Sequence, residues 1–352
     1  MTRITDVSVT PFNHPLEEPF EIALGKQTEA ANLLATVQTE DGTEGYGEGS
    51  PIPPVTGETQ ASAMAVVREM SDLIEGEPLT DFRRLSSDLK ASFPSTSSAR
   101  LAIETAVIDA RCRELEIPMA ELFGGTSTPV ETDMTVPIVD TNEAETRAAA
   151  AAAEGYKHLK VKAGSSVKAD IDRMLAVAEG APGANLKVDA NQGWTVAQTV
   201  RFAEAMRDHG LTLDLIEQPV HRDDIRGLEK ASRQISEPIA ADESLFSPSD
   251  AIRLVREGAV DVMNLKLGKS GLVDALAIID IAEAANVDLM IGCMLESAVA
   301  IHTAAHVVAG TDAFSYVDLD GNRLLDADVI EDTGPMIDIS GPGHGVDTPI
   351  RG

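Results

Sequence analysis

The sequence predicts a (β/α)8 barrel of the TIM type preceded by an α+β domain, and three observations carry that prediction. After Gly125 come eight short β-branched or apolar runs, each followed by an alanine-rich helical stretch. Their tail residues fall near Thr135, Lys162, Asp189, Glu217, Asp242, Lys266, Gly292 and Asp318, a repeat of roughly 22 to 30 positions, the length of one βα unit. The ionisable residues inside these runs sit at their carboxyl ends, the face on which such barrels build active sites. An open doubly wound sheet would place a glycine-rich phosphate loop after its first strand, and "VPIVDTNEAE" is not glycine-rich.

Residues 4–11 and 32–48 alternate as strands do, and Asp41-Gly42 within "QTEDGTEGYGE" marks a tight hairpin turn. Helical patterns follow over about 58–76, 81–91 and 97–117, the last stopped by Pro118 and then Gly124-Gly125. Residues 1–125 therefore read as the α+β domain. Residues 126–324 read as the barrel, with strands in "TDMTVPIV", "HLKVK", "LKVDA", "LDLIE", "PIAAD", "DVMNLK", "DLMIG" and "FSYVD". Residues 325–352 are rich in Asp, Gly and Pro, have no barrel partner of their own, and are expected to fold back onto the first domain.

Of the 352 residues, 28 are basic and 58 acidic, a formal charge of −30. Such a field repels phosphates and argues against nucleic acid and anionic membrane as partners, favouring small molecules, cations or like chains. Cys112 and Cys293 lie far apart, which suits a reducing interior better than a disulfide framework. The opening "MTRITDVSVTPF" has no long apolar core, and no segment approaches the ~18 uninterrupted apolar residues of a membrane span. A cytoplasmic location is expected.

Asp189 closes "LKVDANQGW", Glu217 closes "LDLIEQP" and Asp242 sits in "IAADES", so three consecutive strands each present one carboxylate toward one point. A single acid at a strand end can simply cap the next helix; three in register, with no His or Cys nearby, make a hard oxygen site that suits Mg2+. Glu243 alternates away from the barrel axis, which favours Asp242 as the ligand. Lys160 and Lys162 flank the acids from the strand before, and Lys266 of "NLKLGKSG" from the strand after; Lys269 is expected in a surface loop. A divalent cation on a substrate carboxylate stabilises the enediolate formed when the neighbouring C–H is deprotonated. Lys160 and the cation should depress the pKa of Lys162 toward the working pH, making it a base. With a lysine on each face, one can remove the proton and the other return it, inverting the stereocentre.

"KVK", "DANQGW", "IEQP", "ADES" and "NLKLGKSGL" resemble, in that order, the motifs of the enolase superfamily, specifically its muconate-lactonizing-enzyme subgroup; that superfamily's pairing of a Lys base with Mg2+ is a known pattern. The resemblance spans nearly the whole chain and implies that the first domain caps the barrel. It also implies that Lys162 and Lys266 are the two acid/base catalysts, with Lys160 beside them, and that Asp189, Glu217 and Asp242 are the Mg2+ ligands. Within the subgroup, "GEGSPIPPVTGET" and "YVDLDGNRLL" are most similar to the dipeptide epimerases of the L-Ala-D/L-Glu type. Asp318 and Asp320 would then anchor the free α-ammonium group of a dipeptide, with Thr135 also near the substrate and Glu296 either beside it or capping the seventh helix. Relatives specific for Ala-Glu tend to carry an arginine in the early capping loop, where this chain reads "PFEIALGKQTEA"; Lys26 is the candidate substitute, with Gln27 beside it. An N-acylamino acid racemase, an o-succinylbenzoate synthase, a muconate cycloisomerase or a non-catalytic Mg2+-binding barrel are the alternatives. The resemblance further implies a homo-oligomer.

"HTAAH" places His302 and His306 four apart on a helix but lacks the Glu of a zinc-protease motif, so it reads as a helical surface or core pair; Trp194 reads as packing. Only ten of the 28 basic residues are lysine, and an acidic, lysine-poor surface is what a protein soluble in concentrated salt would show. Activity and solubility followed from low to molar KCl are expected to rise with salt; full activity without salt would remove the support for that adaptation.

Overall fold

The computed structural model describes residues 2–22, 25–164, 166–330 and 333–346, with the side chains of residues 20–22 and 25–26 outside that description. The chain opens with an antiparallel sheet of β1 (Ile4–Ile22), β2 (Gly25–Thr39) and β3 (Glu44–Gly49) in the order β1-β2-β3. The Asp41-Gly42 hairpin forms as expected: the Gly42 N–H donates to Thr39 O at 3.0 Å, and Gly42 takes the φ of +87° that glycine tolerates. Helices α1 (Pro53–Thr56), α2 (Gln60–Ile74), α3 (Phe82–Ser92), α4 (Ser97–Glu114) and α5 (Met119–Phe123) follow.

The run "GYGEG" explains how α4 lies on this sheet. Gly45, Gly47 and Gly49 point to one face of β3, where an added Cβ would stand 2.2, 2.1 and 2.4 Å from the backbone oxygens of Ala106, Ala102 and Ser98. Glycine at alternate positions thus lets the helix approach within backbone contact. The intervening Tyr46 and Glu48 face the other way, toward the rest of the chain.

After β4 (Val130–Glu131) comes an eight-stranded parallel sheet, whose elements alternate as β5 (Met134–Val136), α6 (Thr141–Ala153), β6 (His158–Lys162), α7 (Val167–Gly180), β7 (Asn185–Asp189), α8 (Val196–Asp208), β8 (Leu213–Glu217), α9 (Ile225–Gln234), β9 (Ile239–Ala241), α10 (Pro248–Glu257), β10 (Val262–Lys266), the short α11 (Leu267–Ser270), α12 (Leu272–Ala285), β11 (Asp288–Gly292), α13 (Ala298–Thr311) and β12 (Tyr316–Asp318). Consecutive strands pair in sequence order from β5 to β12. The circle is drawn together beside β5, where the Asp133 N–H reaches Val317 O at 3.4 Å and the Leu319 N–H donates to Thr132 Oγ1 at 2.7 Å. The eighth strand leads into a 3-10 turn, Gly321–Leu324.

Alternation sorts the strand residues. Leu159, Val161, Leu186, Val188 and Ile216 join the main apolar core beneath the helices, while Leu215, Ala240, Val262 and Met290 form a separate apolar plug inside the barrel. Lys160, Lys162, Lys187, Asp189, Glu217 and Lys266 share the inward parity and are all buried. The barrel interior is therefore apolar at one level and charged toward the carboxyl ends.

The tail contacts both sides of the boundary near residue 125. β13 (Met336–Ile337) pairs antiparallel with β4, and the Met119 N–H donates to Gly343 O at 2.8 Å, while His344 N–H donates to Asp109 Oδ1 of α4 at 2.9 Å. His302 and His306 are a core pair: both are buried on α13, and His306 Nδ1 accepts from Ala120 N–H at 3.2 Å. Trp194 is packing, with its ring 4.6 Å from Phe202 and its Nε1–H donating to Asp170 at 3.0 Å.

Burial, and then the neighbouring His344 and His302, depress His306 to about 3. A histidine neutral in the folded chain down to that pH is protonated in the unfolded chain below about 6.5, so the unfolded state binds the extra proton between those values and stability falls with pH. Between pH 7 and pH 5 this one group should remove about 2 kcal/mol. Urea midpoints at the two pH values should therefore lie closer together in His306→Gln, whose amide oxygen can still accept from Ala120, than in the unaltered chain.

Candidate functional site

The carboxyl ends of β7, β8 and β9 bring Asp189, Glu217 and Asp242 together, each buried, with one oxygen from each within 4.8 Å of the others. Four lysines hold this trio. Lys160 Nζ lies 2.8 Å from Glu217 Oε2, 3.3 Å from Asp189 Oδ2 and 2.6 Å from Asp318 Oδ2. Lys162 Nζ lies 2.7 Å from Asp189 Oδ2, and Lys266 Nζ lies 2.9 Å from Asp242 Oδ2. β6 and β10 are separated by the three acid-bearing strands, so in a ring of eight Lys162 and Lys266 come from opposite sides. Gly292 leaves the room for Lys266: a Cβ there would stand 2.8 Å from Lys266 Cε.

The fourth lysine corrects the sequence reading. Lys269 is not on the surface but buried, donating to the Asp242 carboxylate, to Asp242 O and, at 3.2 Å, to Asn264 O. β10 turns directly into α11, and positions 266 and 269 share one side of that helical turn. Glu243 is a second correction. β9 ends at Ala241, so strand alternation no longer applies, and Glu243 is buried on the same cavity as Asp242. Its Oε1 lies 3.4 Å from Asn191 Nδ2, whose N–H groups also reach Asp189.

Electrostatics follow from this packing. Burial works against the Lys160 charge, but Asp318, Glu217 and Asp189 around it raise its pKa well above the usual value. Burial, then Asp189, push Glu217 up to about 8, whereas Lys266 and Lys269 overcome burial and hold Asp242 well below the ordinary carboxylate range. Beyond Asp318 lies a further acidic group: Asp133, Asp318 and Asp320 also bring one oxygen each within 4.8 Å of the others. Lys187 balances Asp133 at 2.5 Å, and the Thr135 N–H donates to Asp320 Oδ2 at 2.6 Å.

These groups form the floor of a cavity of about 270 Å³ lined by Thr135, Lys160, Lys162, Lys266, Asp318 and Asp320. Its walls are apolar: Ile52, Pro54 and Val55 from the first domain, Met294 and Leu295 after β11, and Leu324. Gln27 also faces it, while the side chain of Lys26 lies outside the described residues. Glu296, a candidate for a place beside the substrate, does not line the cavity. Its carboxylate accepts from Ser50 Oγ–H at 2.5 Å and from Met294 N–H at 3.1 Å, turned toward the first sheet. Sequence reading missed Lys187 and Asn264, whose Nδ2 donates to Glu217 Oε1 at 2.7 Å, although each stands two residues before a recognised site residue on the same strand face.

Three buried carboxylates with hard oxygen donors and no nitrogen or sulfur ligand suit a Mg2+-like cation. Removing Lys269 would leave Asp242 Oδ1 without its donor, while Lys266 still pairs with Oδ2 and the Leu245 N–H still donates to Asp242 O, a loss of about 2–3 kcal/mol. Lys269→Met should show that loss in urea denaturation without divalent cations, whereas exposed Lys230→Met should stay within about 0.5 kcal/mol of the unaltered chain.

Two family models match the chain: "Mandelate racemase / muconate lactonizing enzyme, N-terminal domain" over residues 4–124 and "Enolase C-terminal domain-like" over residues 143–349. An aromatic dipeptide epimerase of Herpetosiphon aurantiacus is 40% identical over 320 residues, 91% of this chain and 90% of its own. An L-Ala-D/L-Glu epimerase of Thermotoga maritima is 37% identical over 331 residues, 94% of this chain and 95% of its own. The crystal structure of a dipeptide epimerase from Enterococcus faecalis V583, complexed with Mg and the dipeptide L-Leu-L-Tyr, superposes with a TM-score of 0.94 at 33% identity, covering 98% of this chain and 100% of that one. With both of its parts matched and its barrel acids and lysines in the order described, the chain belongs to the enolase superfamily, in the mandelate racemase/muconate lactonizing enzyme family.

Proposed function

We propose that this chain is a Mg2+-dependent dipeptide epimerase that inverts the Cα of the C-terminal residue. The observation that carries the reading is the placement of Lys162 and Lys266 on opposite sides of one carboxylate trio, within ion-pair distance of Asp189 and Asp242 respectively. Asp189, Glu217 and Asp242 would hold Mg2+, whose charge acidifies the C–H beside a substrate carboxylate and stabilises the enediolate. Lys162 Nζ takes the proton from one face of Cα and Lys266 Nζ delivers a proton to the other, or the reverse for the opposite enantiomer. Lys160 stays charged between Asp318 and the trio, holding positive charge beside the developing enediolate.

The second acidic group supports a dipeptide over an acylated amino acid. Asp133, Asp318 and Asp320 are buried together against Lys187 and a Lys160 that also serves the trio, a local excess of negative charge. A substrate α-ammonium at Asp318 and Asp320 offsets that excess; an N-acyl group leaves it uncompensated. Thr135 fixes Asp320 through its N–H. Residues 1–125 act in this reading as a capping domain, 126–324 as the catalytic barrel and 325–352 as a closing segment.

No described helix is long and apolar enough to cross a membrane. The two free cysteines, Cys112 and Cys293, support a cytoplasmic location. Self-association rests on the family resemblance and is checked by light scattering.

Incubation with Mg2+ and a library of L,L-dipeptides in D2O, including L-Ala-L-Glu and apolar members, should give a one-dalton gain confined to some members. Lys162→Ala and Lys266→Ala should each lower epimerisation by on the order of 10³-fold or more. Asp320→Asn should raise KM for dipeptides while barely affecting N-acylamino acids. No gain with any dipeptide would overturn the reading.

A further inference from the structure

Glu48, Asn32, Ser50, Glu296 and Ser297 are all buried, yet none of them lines the substrate cavity. They form one polar knot between the first sheet and the segment joining β11 to α13. Glu48 Oε2 accepts from Ser297 Oγ–H at 2.6 Å, and its carboxylate receives the Ser297 and Ala300 N–H groups at 3.1 and 3.2 Å, at the N-terminus of the fourteen-residue α13. The unpaired N–H groups and the helix dipole favour a carboxylate there, but burial and then the neighbouring Glu296 outweigh them and push Glu48 up to about 8. Asn32 Nδ2 donates both to Glu48 Oε1 at 2.7 Å and to Leu295 O at 2.8 Å. Ser50 holds Glu296, which in turn receives the Met294 N–H.

The atoms the knot grips decide its role. Met294 N and Leu295 O belong to the two residues whose side chains form one apolar wall of the cavity. Ser50 stands two residues before Ile52, where the facing wall of Ile52, Pro54 and Val55 begins. The knot also bears on the catalytic turn: a Cβ on Gly268 would lie 2.9 Å from Ser50 Oγ and 3.4 Å from Glu296 Oε1, two residues after Lys266. A purely apolar junction could join the two parts without burying two carboxylates. Directional bonds to wall backbone atoms add what apolar contact lacks, a fixed spacing between the walls.

We propose that Glu48, acting with Asn32, Ser50 and Glu296, is a positioning residue that sets the distance between the two apolar walls and so the fit of the substrate side chains. The inference rests on the dipeptide reading above. It predicts that loosening the knot weakens substrate binding and alters side-chain preference while leaving the lysine chemistry in place.

Glu48→Gln keeps the shape but presents an amide NH2 to groups that are themselves donors. Its KM for a dipeptide that exchanges in D2O should rise about tenfold with kcat within about threefold. Backbone amides at 294–300 should exchange faster with solvent deuterium while those of β10 keep their protection. Ser50→Ala, the milder variant, should move both readouts in the same direction by less. Unchanged amide exchange at 294–300 overturns the proposal, and so does loosened exchange with unchanged KM and unchanged side-chain preference, which would make the knot a docking contact alone. If the unaltered chain exchanges no dipeptide proton, the epimerase reading fails instead, and amide exchange in Glu48→Gln separately decides whether the knot holds the wall.

Discussion

The interior of the barrel is governed by one electrostatic constraint: charges taken out of water there must be paired. Five of the chain's ten lysines, at positions 160, 162, 187, 266 and 269, are buried, and each lies within 3 Å of a buried carboxylate oxygen. An unpaired ammonium or carboxylate in such surroundings costs several kcal/mol, so neither set survives alone. The acids that would bind a cation therefore also hold the lysines in place. Between them the two sets fix which rotamers the site can adopt. Around this core the apolar residues of the helices and the plug at the other level of the barrel follow ordinary packing rules.

The same constraint explains what was legible in the sequence. Strand period makes every second residue face the barrel axis, so an ionisable residue at the tail of an apolar run is costly unless it has a partner there. Asp189, Glu217, Asp242, Lys162 and Lys266 announced themselves this way, and the structure brings them together. Lys269 and Glu243 were misread because each lies just past the end of a strand, where the chain turns and the period of two no longer predicts direction. Glu296 is undecided in the sequence for a different reason. A helix-proximal acid near a site looks the same in sequence whether it faces the cavity or the neighbouring domain, and only the position of Ser50, 246 residues away along the chain, separates the two.

The first domain was legible as elements but not as a surface. Alternation and the Asp-Gly turn located its strands, whereas the meaning of "GYGEG" depends on a helix some fifty residues later. Three glycines on one face of β3 admit α4 at backbone contact, and that closeness leaves Glu48 on the opposite face, aimed at α13. One short strand thus performs two tasks through its two faces. The lysine distribution is equally informative in retrospect. A chain that carries 58 acidic residues and only ten lysines keeps half of those lysines inside the barrel, where arginine's fixed fork and higher pKa would not serve a proton relay.

Floor and walls of the cavity come from different parts of the fold, and this separation has a consequence for specificity. The charged floor is built on strand ends of the barrel, whose hydrogen-bonded register tolerates little displacement. The apolar walls are built on connecting segments held by a few directional bonds, so their side chains can differ without disturbing the lysine and carboxylate framework beneath. Relatives named for aromatic and for L-Ala-D/L-Glu dipeptides match this chain at similar identity over nearly all of its length. A floor set by charge pairing and walls set by loop packing would let such chains keep one reaction where substitution is most costly, while the fit of the substrate side chain is set where it is least.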